Sequence, residues 1–335
     1  MNDEDSNFWT QTNVMVTGGS GFIGSHIVET LLDAGANVSL TTSARKIDPI
    51  RADQVNHDRR TRVVKVDLTR VEDCKQACSD QEIVISAAHL VGSEAYKQAY
   101  PSSIFRQNML MTLNMLEAAR LADVKRMLIL SSSEVYPPDA NVPTKESESL
   151  AGTPGPQIDG YSWSKRMSEF AAQSYAREYG LKIAIARPNN VYGPRDHLST
   201  RSRIIPVLIM KAIEGSESLT IWGNGQQVRN FLYVKDLAKG LVHLIDRLPE
   251  TGPVNFAGNE EITMRQLAEL ILQLMGKTAK ITLDPGKPSG PKRRVLDISK
   301  AKAELDWIPT TTLKKGLQST IEFYQEFYKP NLTVQ

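Results

Sequence analysis

The chain has 335 residues, 41% of them hydrophobic and 23% charged, with a formal net charge of +2. That length suits one large domain with a smaller lobe. The near-neutral charge excludes a dedicated nucleic-acid surface, and no apolar run reaches the length of a membrane span.

The stretch from Met1 to Asn13 is polar, rich in acids and amides, and unlike a signal peptide. The two cysteines, Cys74 and Cys78, stand at helical spacing with no His partners. They read as reduced thiols of a cytoplasmic protein, with no metal site expected.

Val14 to Thr17 is a short β-branched run, followed at once by Gly18-Gly19-Ser20-Gly21-Phe22-Ile23-Gly24. Ile27, Val28, Leu31 and Leu32 then recur at helical spacing, and Gly35 ends the helix. Strand, glycine turn and helix in this order form a pyrophosphate cradle. Gly18, Gly21 and Gly24 permit the turn and the close approach, and Phe22 and Ile23 open the helix whose N-terminus faces the phosphates.

The next strand runs from Val38 to Thr42. An NAD-binding chain ordinarily places an acid there, on the ribose hydroxyls. Here Thr42 and Ser43 are followed by Arg45 and Lys46, which suits a 2′-phosphate and so NADP, with NAD as the alternative. A solvated basic loop is the other reading of this segment.

Val63 to Leu68 reads as a third strand, with Asp67 at its end placed to bond the adenine amino group. Ile83 to Ala88 reads as a fourth, ending in the small residues Ala87 and Ala88 that let a dinucleotide lie close. A long helix with Phe105, Met109, Leu113 and Leu116 on one face precedes a fifth strand, Arg126 to Ser131, which opens into Ser132-Ser133-Glu134. Pro137 to Gly160 is a loop, Tyr161 begins a helix, and Lys182 to Arg187 is a further strand.

Strands alternating with helices predict a doubly wound, Rossmann-type α/β fold over residues 1–187, with a parallel sheet covered on both faces. From residue 188 to 335 a smaller mixed α/β lobe is expected, interleaved with the first. Its elements are a helix over Ile204 to Ile213, a turn at Trp222 to Gly225, strands at Phe231 to Val234 and Val254 to Ala257, a helix begun near Asp236, a helix capped by Thr263, a basic loop from Gly286 to Arg294 and a last helix from Leu313 to Tyr328.

Tyr161 and Lys165 stand four apart, so they share one helix face. An ammonium near a phenol favours the phenolate, and the expectation is a Tyr161 whose pKa falls from about 10 towards neutrality. Such a tyrosine exchanges a proton with an alcohol while hydride moves at the carbon beneath it.

With the glycine turn, Ser132 and Tyr161-x-x-x-Lys165 at this spacing, the chain resembles the extended short-chain dehydrogenase/reductases, in their NAD(P)-dependent nucleotide-sugar epimerase/dehydratase group. The resemblance runs from about Asn13 to Tyr328. Ala87 to Gly92, Gln107 to Met111, Asn190 to Pro194, Trp222 to Leu232 and Lys287 to Arg293 are most similar to the GDP-L-fucose synthase branch.

The resemblance implies that Ser132 bonds the sugar hydroxyl, Tyr161 is the acid/base, and Lys165 tunes it and holds the nicotinamide ribose. It implies that Asn190, Arg229 and Arg293 hold the nucleotide diphosphate, with a GDP-sugar favoured. It further implies a homodimer built on the helices of Phe105 and Tyr161.

The branch carries a Cys where this chain has Glu134 and a His where it has Arg195, the groups of its C3/C5 epimerisation. His197 lies two residues beyond and is a possible substitute. Ser132-Ser133-Glu134 resembles the Thr-Ser-Glu of GDP-mannose 4,6-dehydratase, whose Glu takes the C5 proton. The expected activity is therefore nucleotide-sugar epimerisation through transient oxidation at C4. A 4,6-dehydratase using Glu134 comes next and a 4-keto reductase third; a non-catalytic NADP-binding regulator is the reading from another class. The branch point is assigned to Ser133, Glu134 and Arg195.

Overall fold

The computed structural model describes residues 8–42, 58–92, 94–155, 159–198, 203–247, 252–287 and 290–328. Ser43, Arg45 and Lys46, on which much of the NADP expectation rests, lie outside the described residues, as do Pro288 and Ser289.

Seven parallel strands form the central sheet: β1 (Asn13–Thr17), β2 (Asn37–Thr42), β3 (Thr61–Lys65), β4 (Ile83–Ser86), β5 (Arg126–Leu130), β6 (Ile183–Pro188) and β11 (Val254–Phe256), in the order β11-β6-β5-β4-β1-β2-β3. Both faces are buried, and side-chain alternation sorts each strand between them. Val14 and Val16, Ile83 and Ile85, and Leu128 and Leu130 enter one core. Met15, Val84, Met127 and Ile129 enter the other. The first core is covered by α1 (Phe22–Asp33), α7 (Val234–Arg247) and α9 (Ser299–Leu305). The second is covered by α2 (Val71–Cys78), α4 (Pro101–Leu121) and α5 (Gly160–Tyr179), with the short α3 (Glu94–Ala99) ahead of α4. Cys74 and Cys78 are buried free thiols in this second core, and burial pushes both up to about 12.

A separate core joins α6 (Ile204–Ile213), α8 (Met264–Met275) and α10 (Leu313–Tyr328) to the parallel pair β8 (Ser218–Trp222) and β13 (Lys280–Asp284). Thr263 and Gln266 cap α8 reciprocally. Strand β9 (Val228–Asn230) pairs with both β12 (Glu261–Thr263) and β14 (Arg293–Arg294), and β7 (Val191–Tyr192) with β10 (Leu232–Tyr233). Of these strands, β10 falls within the expected strand Phe231 to Val234, while β7 and β14, of two residues each, fall in segments expected as loops and are too short to show a period of two.

Of the α4 residues Phe105, Met109, Leu113 and Leu116, Phe105 and Leu113 are exposed and Leu116 is fully buried. The buried face is Ile104, Asn108, Thr112 and Met115, because α4 packs on α5 through small polar groups. Thr112 Oγ1 meets Ser168 Oγ at 2.9 Å, and Asn108 donates to Ser164 Oγ at 3.1 Å. The approach is so close that a Cβ on Gly160 would lie 1.9 Å from the Pro101 carbonyl oxygen.

A buried ion pair fixes α5 to the sheet. Arg187, at the end of β6, donates to both carboxylate oxygens of Glu169 on α5 at 2.9 and 2.6 Å, and Ser131 also donates to Glu169. The same guanidinium reaches the Tyr136 hydroxyl, the Glu146 carbonyl and Ser149 Oγ, while Tyr136 donates to Asn255 on β11 at 2.5 Å. Glu169→Gln strands a buried cation and is expected to destabilise the protein by about 3–5 kcal/mol, read as a lower urea midpoint.

Candidate active site

At the C-terminal ends of the strands, Thr17 draws two loops together. Its hydroxyl accepts from the N–H groups of Ala87 and Ala88, both at 3.0 Å. Gly18, at φ +66°, then passes so near Ala88 that a Cβ would lie 3.0 Å from its Cα, and a Cβ on Gly24 would lie 2.2 Å from the Gly18 carbonyl oxygen. Gly21 caps α1 without any side-chain bond, and the first turn, begun by Phe22 and Ile23, holds no acid. Its free N–H groups and positive dipole end suit a pyrophosphate, so the residues present fit a dinucleotide.

At the adenosine side, Thr41 Oγ1 accepts from Gly18 N–H at 3.0 Å, and Ser20 Oγ lies 3.4 Å from Thr42 Oγ1. No carboxylate ends β2. Asp67 lies beyond the end of β3, exposed, with Oδ1 accepting from Thr69 N–H and Oγ1. Leu68 is buried, and its carbonyl accepts from Cys74 and Asn114.

Helix α5 begins at Asp159, whose carboxylate caps the N–H groups of Tyr161 and Ser162 at 2.9 and 3.3 Å. An acid just before the Tyr-x-x-x-Lys run is a legible capping signal; the sequence reading left it unused. Lys165 is buried and donates to the Leu130 carbonyl at 2.5 Å, with its ammonium 5.6 Å from the centre of the Tyr161 ring. Ser132 Oγ accepts from Glu134 N–H at 3.1 Å and also bonds Tyr161. The structure thus brings Ser132, Tyr161, Lys165 and Glu134 together.

The expected lowering of the Tyr161 pKa does not hold in this pocket. Burial and then the charge of Glu134 push the phenol up, outweighing its bond to Ser132 and the pull of Lys97 and Arg203. Burial also brings the Lys165 ammonium down to about 7, against Glu169 and Glu134. Desolvation dominates the pairwise Coulomb term on which the sequence argument relied.

Ser133 turns from the pocket. It is buried and donates to Asn189 Oδ1 at 2.8 Å, in a chain that continues through Asn230 to the Gly258 carbonyl. Arg195 turns away as well. At φ +67° it aims its guanidinium at α1, bonding Glu29 at 2.5 Å and His26 Nδ1 at 2.7 Å. Burial raises the Glu29 pKa, but His26 and Arg195 together hold it down at about 2. Arg195 is therefore a clip between a loop and the glycine-turn helix, and only the fold could reveal that partner. His197 is exposed.

Asn190 donates to the Asn230 carbonyl, and Arg229 to the carbonyls of Val228 and Pro291. Arg293 forks onto Glu261, while its neighbour Arg294 is in register with Arg229. Burial, then Arg294, lowers the Arg229 pKa to about 10. Successive residues on a strand face opposite ways, so the cation beside Arg229 is Arg294, which the sequence reading did not single out. A cleft of ≈ 180 Å³ lies at Asn190, Tyr192, Arg203, Ile204 and Phe231. A larger one, ≈ 540 Å³, lies at the opposite ends of the strands, beside Thr12, Ile83 and Arg126, remote from Tyr161.

Lys97, absent from the sequence reading, is the other group brought to Tyr161. It is buried, bonds Glu134 Oε2 at 2.9 Å, and stands 5.5 Å from the Tyr161 ring centre.

The depressed Lys165 pKa has a thermodynamic consequence. Between about pH 7 and its unfolded value the unfolded chain binds the extra proton, so this group's contribution to stability rises with pH. The raised Cys74 and Cys78 oppose it above about pH 9. Lys165→Met is expected to flatten the rise between about pH 7 and 9, measured by urea unfolding across that range.

Residues 14–257 match the family described as NAD dependent epimerase/dehydratase. The chain is 32% identical over 324 residues to a dTDP-4-dehydro-6-deoxy-D-allose reductase of a Streptomyces species, covering 95% of this chain and 97% of that protein. It is 32% identical over 319 residues to GDP-L-fucose synthase 1 of Arabidopsis thaliana, covering 93% and 92%. Its structure is similar to that of UDP-glucose 4-epimerase with UDP-glucose from Thermotoga maritima, with a TM-score of 0.84 at 27% identity, covering 94% and 99%. The sheet, the glycine cradle and the Ser132–Tyr161–Lys165 cluster accord with that match: the chain belongs to the NAD-dependent epimerase/dehydratase family of enzymes that act on nucleotide sugars.

Proposed function

We propose that the protein is an NADPH-dependent reductase of a 4-keto sugar carried on a nucleoside diphosphate. The observation that carries this reading is that both positions expected to extend the chemistry beyond C4 are engaged elsewhere. Glu134 is held by Lys97, and Arg195 by Glu29 and His26. What the pocket offers the sugar is the Tyr161 phenol beside Ser132.

NADPH, held by the glycine cradle of Gly18, Gly21 and Gly24, would supply hydride to C4 of the keto sugar. Ser132 would hold the C4 carbonyl oxygen, and Tyr161 would pass its phenolic proton to that oxygen. Lys165 stabilises the resulting phenolate, and Asp159 fixes the first turn of α5 so that Tyr161 keeps its aim. Asn190, Arg229 and Arg294 line the proposed substrate lobe, from residue 188 onward, and would take the diphosphate. The sequence favours GDP; the likeness to a dTDP-sugar reductase adds dTDP.

The choice of NADPH is supported by the absence of a carboxylate from β2, among the described residues, and by the hydroxyls of Thr42 and Ser20 there. Transient oxidation and 4-epimerisation, the first expectation from sequence, uses the same Tyr161 and is the second reading, supported by the likeness to UDP-glucose 4-epimerase. The exposed Phe105 and Leu113 of α4 and Phe170 of α5 suit a homodimer, which sedimentation equilibrium tests.

Incubation with NADPH and GDP- and dTDP-linked 4-keto-6-deoxyhexoses, read by mass spectrometry, should add two hydrogens. Unchanged mass with inverted C4, found instead with UDP-, GDP- or dTDP-hexoses, overturns the reductase reading for the epimerase. Loss of water overturns it for the dehydratase, and no turnover of any sugar favours the regulator.

Tyr161→Phe is expected to lower kcat by about 10²–10⁴-fold, with NADPH binding, measured by fluorescence, retained. Thr42→Asp should weaken NADPH binding by about tenfold or more, through like-charge repulsion, and spare NADH.

A further inference from the structure

Two ammonium groups flank the Tyr161 ring, and the proposed chemistry uses only Lys165. Lys97 arrives from α3, across the pocket from α5, and its buried side chain bonds Glu134 Oε2 at 2.9 Å while standing 5.5 Å from the ring centre. Ser162 Oγ, held by Asp159 Oδ2 at 2.5 Å, lies 3.4 Å from the same Glu134 oxygen. Glu134 is thus a carboxylate fixed beside the phenol by a cation from another element.

The charged groups around Tyr161 are Glu134 from the turn after β5, Lys97 from α3, Lys165 and the capping Asp159 on its own helix, and Arg203 ahead of α6. Glu134 opposes loss of the phenolic proton, and Lys97 and Arg203 favour it. Lys97 has a double effect in this set, since it attracts the developing phenolate directly and neutralises the carboxylate that repels it. A part-buried pair of this kind acts in a low effective dielectric, where a single charge matters more than at the surface.

We propose that Lys97 is a positioning residue for proton transfer: by pairing with Glu134 it screens that carboxylate from Tyr161 and keeps the phenol a competent acid. Glu134 in this arrangement sets the field at Tyr161 and removes no proton from the substrate. The proposal rests on the reductive reading for the direction of proton transfer only, because Tyr161 exchanges a proton in the epimerase reading too.

The test is a double-mutant cycle with Lys97→Met, Lys97→Arg, Glu134→Gln and the Lys97→Met/Glu134→Gln double variant, assayed on the sugar that the wild type turns over. An acid whose pKa moves further above the working pH donates less readily, so Lys97→Met is expected to lower kcat by up to about tenfold with KM changed less than about threefold. Lys97→Arg should restore kcat. The double variant should be faster than Lys97→Met, because removing the carboxylate removes what Lys97 screened.

A double variant as slow as Lys97→Met, or a loss confined to KM, would overturn the proposal. So would failure of Lys97→Arg to restore kcat. Independently of turnover, tyrosinate absorbance minus that of the matching Tyr161→Phe protein should titrate at lower pH in Glu134→Gln than in wild type, and coincident curves would also overturn it. Wild-type protein that reduces no keto sugar defeats the reductase reading alone, whereas a working reductase with an unrecovered double variant defeats the role of Lys97 alone.

Discussion

The Arg187–Glu169 pair is the constraint on which the site depends. A guanidinium and a carboxylate, both almost fully buried, stay charged in the interior only if every strong donor and acceptor is answered. Answering them enlists Ser131, Tyr136, the Glu146 carbonyl and Ser149, which belong to the end of β5 and the long loop behind it. Glu169 is one helical turn beyond Lys165, so the network that satisfies Arg187 also fixes the height and rotation of the helix carrying Tyr161 and Lys165. Through Tyr136 it reaches Asn255 on β11, a strand contributed by the second half of the chain. Helix α5 and the strand β11, which is supplied from far along the chain, thereby share one polar joint.

Desolvation then decides how that helix works. The pairing of Tyr161 with Lys165 suggests a phenol easily ionised, yet burial and the charge of Glu134 push the phenol up, and burial brings the Lys165 ammonium down to about 7. Both shifts have the same origin, the cost of placing charge where water is scarce.

Engagement of Glu134 and Arg195 by other side chains narrows the chemistry further. Each of the two residues is half of an ion pair with a partner distant in sequence. Arg195 has been turned to structural use, holding the loop of Gly193 to His197 against α1. Glu134 stays at the pocket, with its charge answered by Lys97.

The sequence by itself determined the sheet, the glycine cradle and the Ser132–Tyr161–Lys165 cluster. Each is written locally: runs of β-branched residues, glycines at three-residue spacing before a helix, a tyrosine and a lysine one turn apart. It also determined the absence of an acid at the end of β2. Contacts across long separations come from the fold alone: Lys97 with Glu134, Arg195 with Glu29, Ser133 with Asn189, Arg294 beside Arg229. The buried face of α4 belongs here too, since Asn108 and Thr112 look like solvent-facing residues until their partners on α5 are in place. Local pattern reports backbone geometry and periodicity, whereas the fate of a polar side chain depends on which partner the fold delivers and how much water it removes. For this chain those two quantities decide the surroundings of Tyr161, with Glu134 and Lys97 beside the phenol.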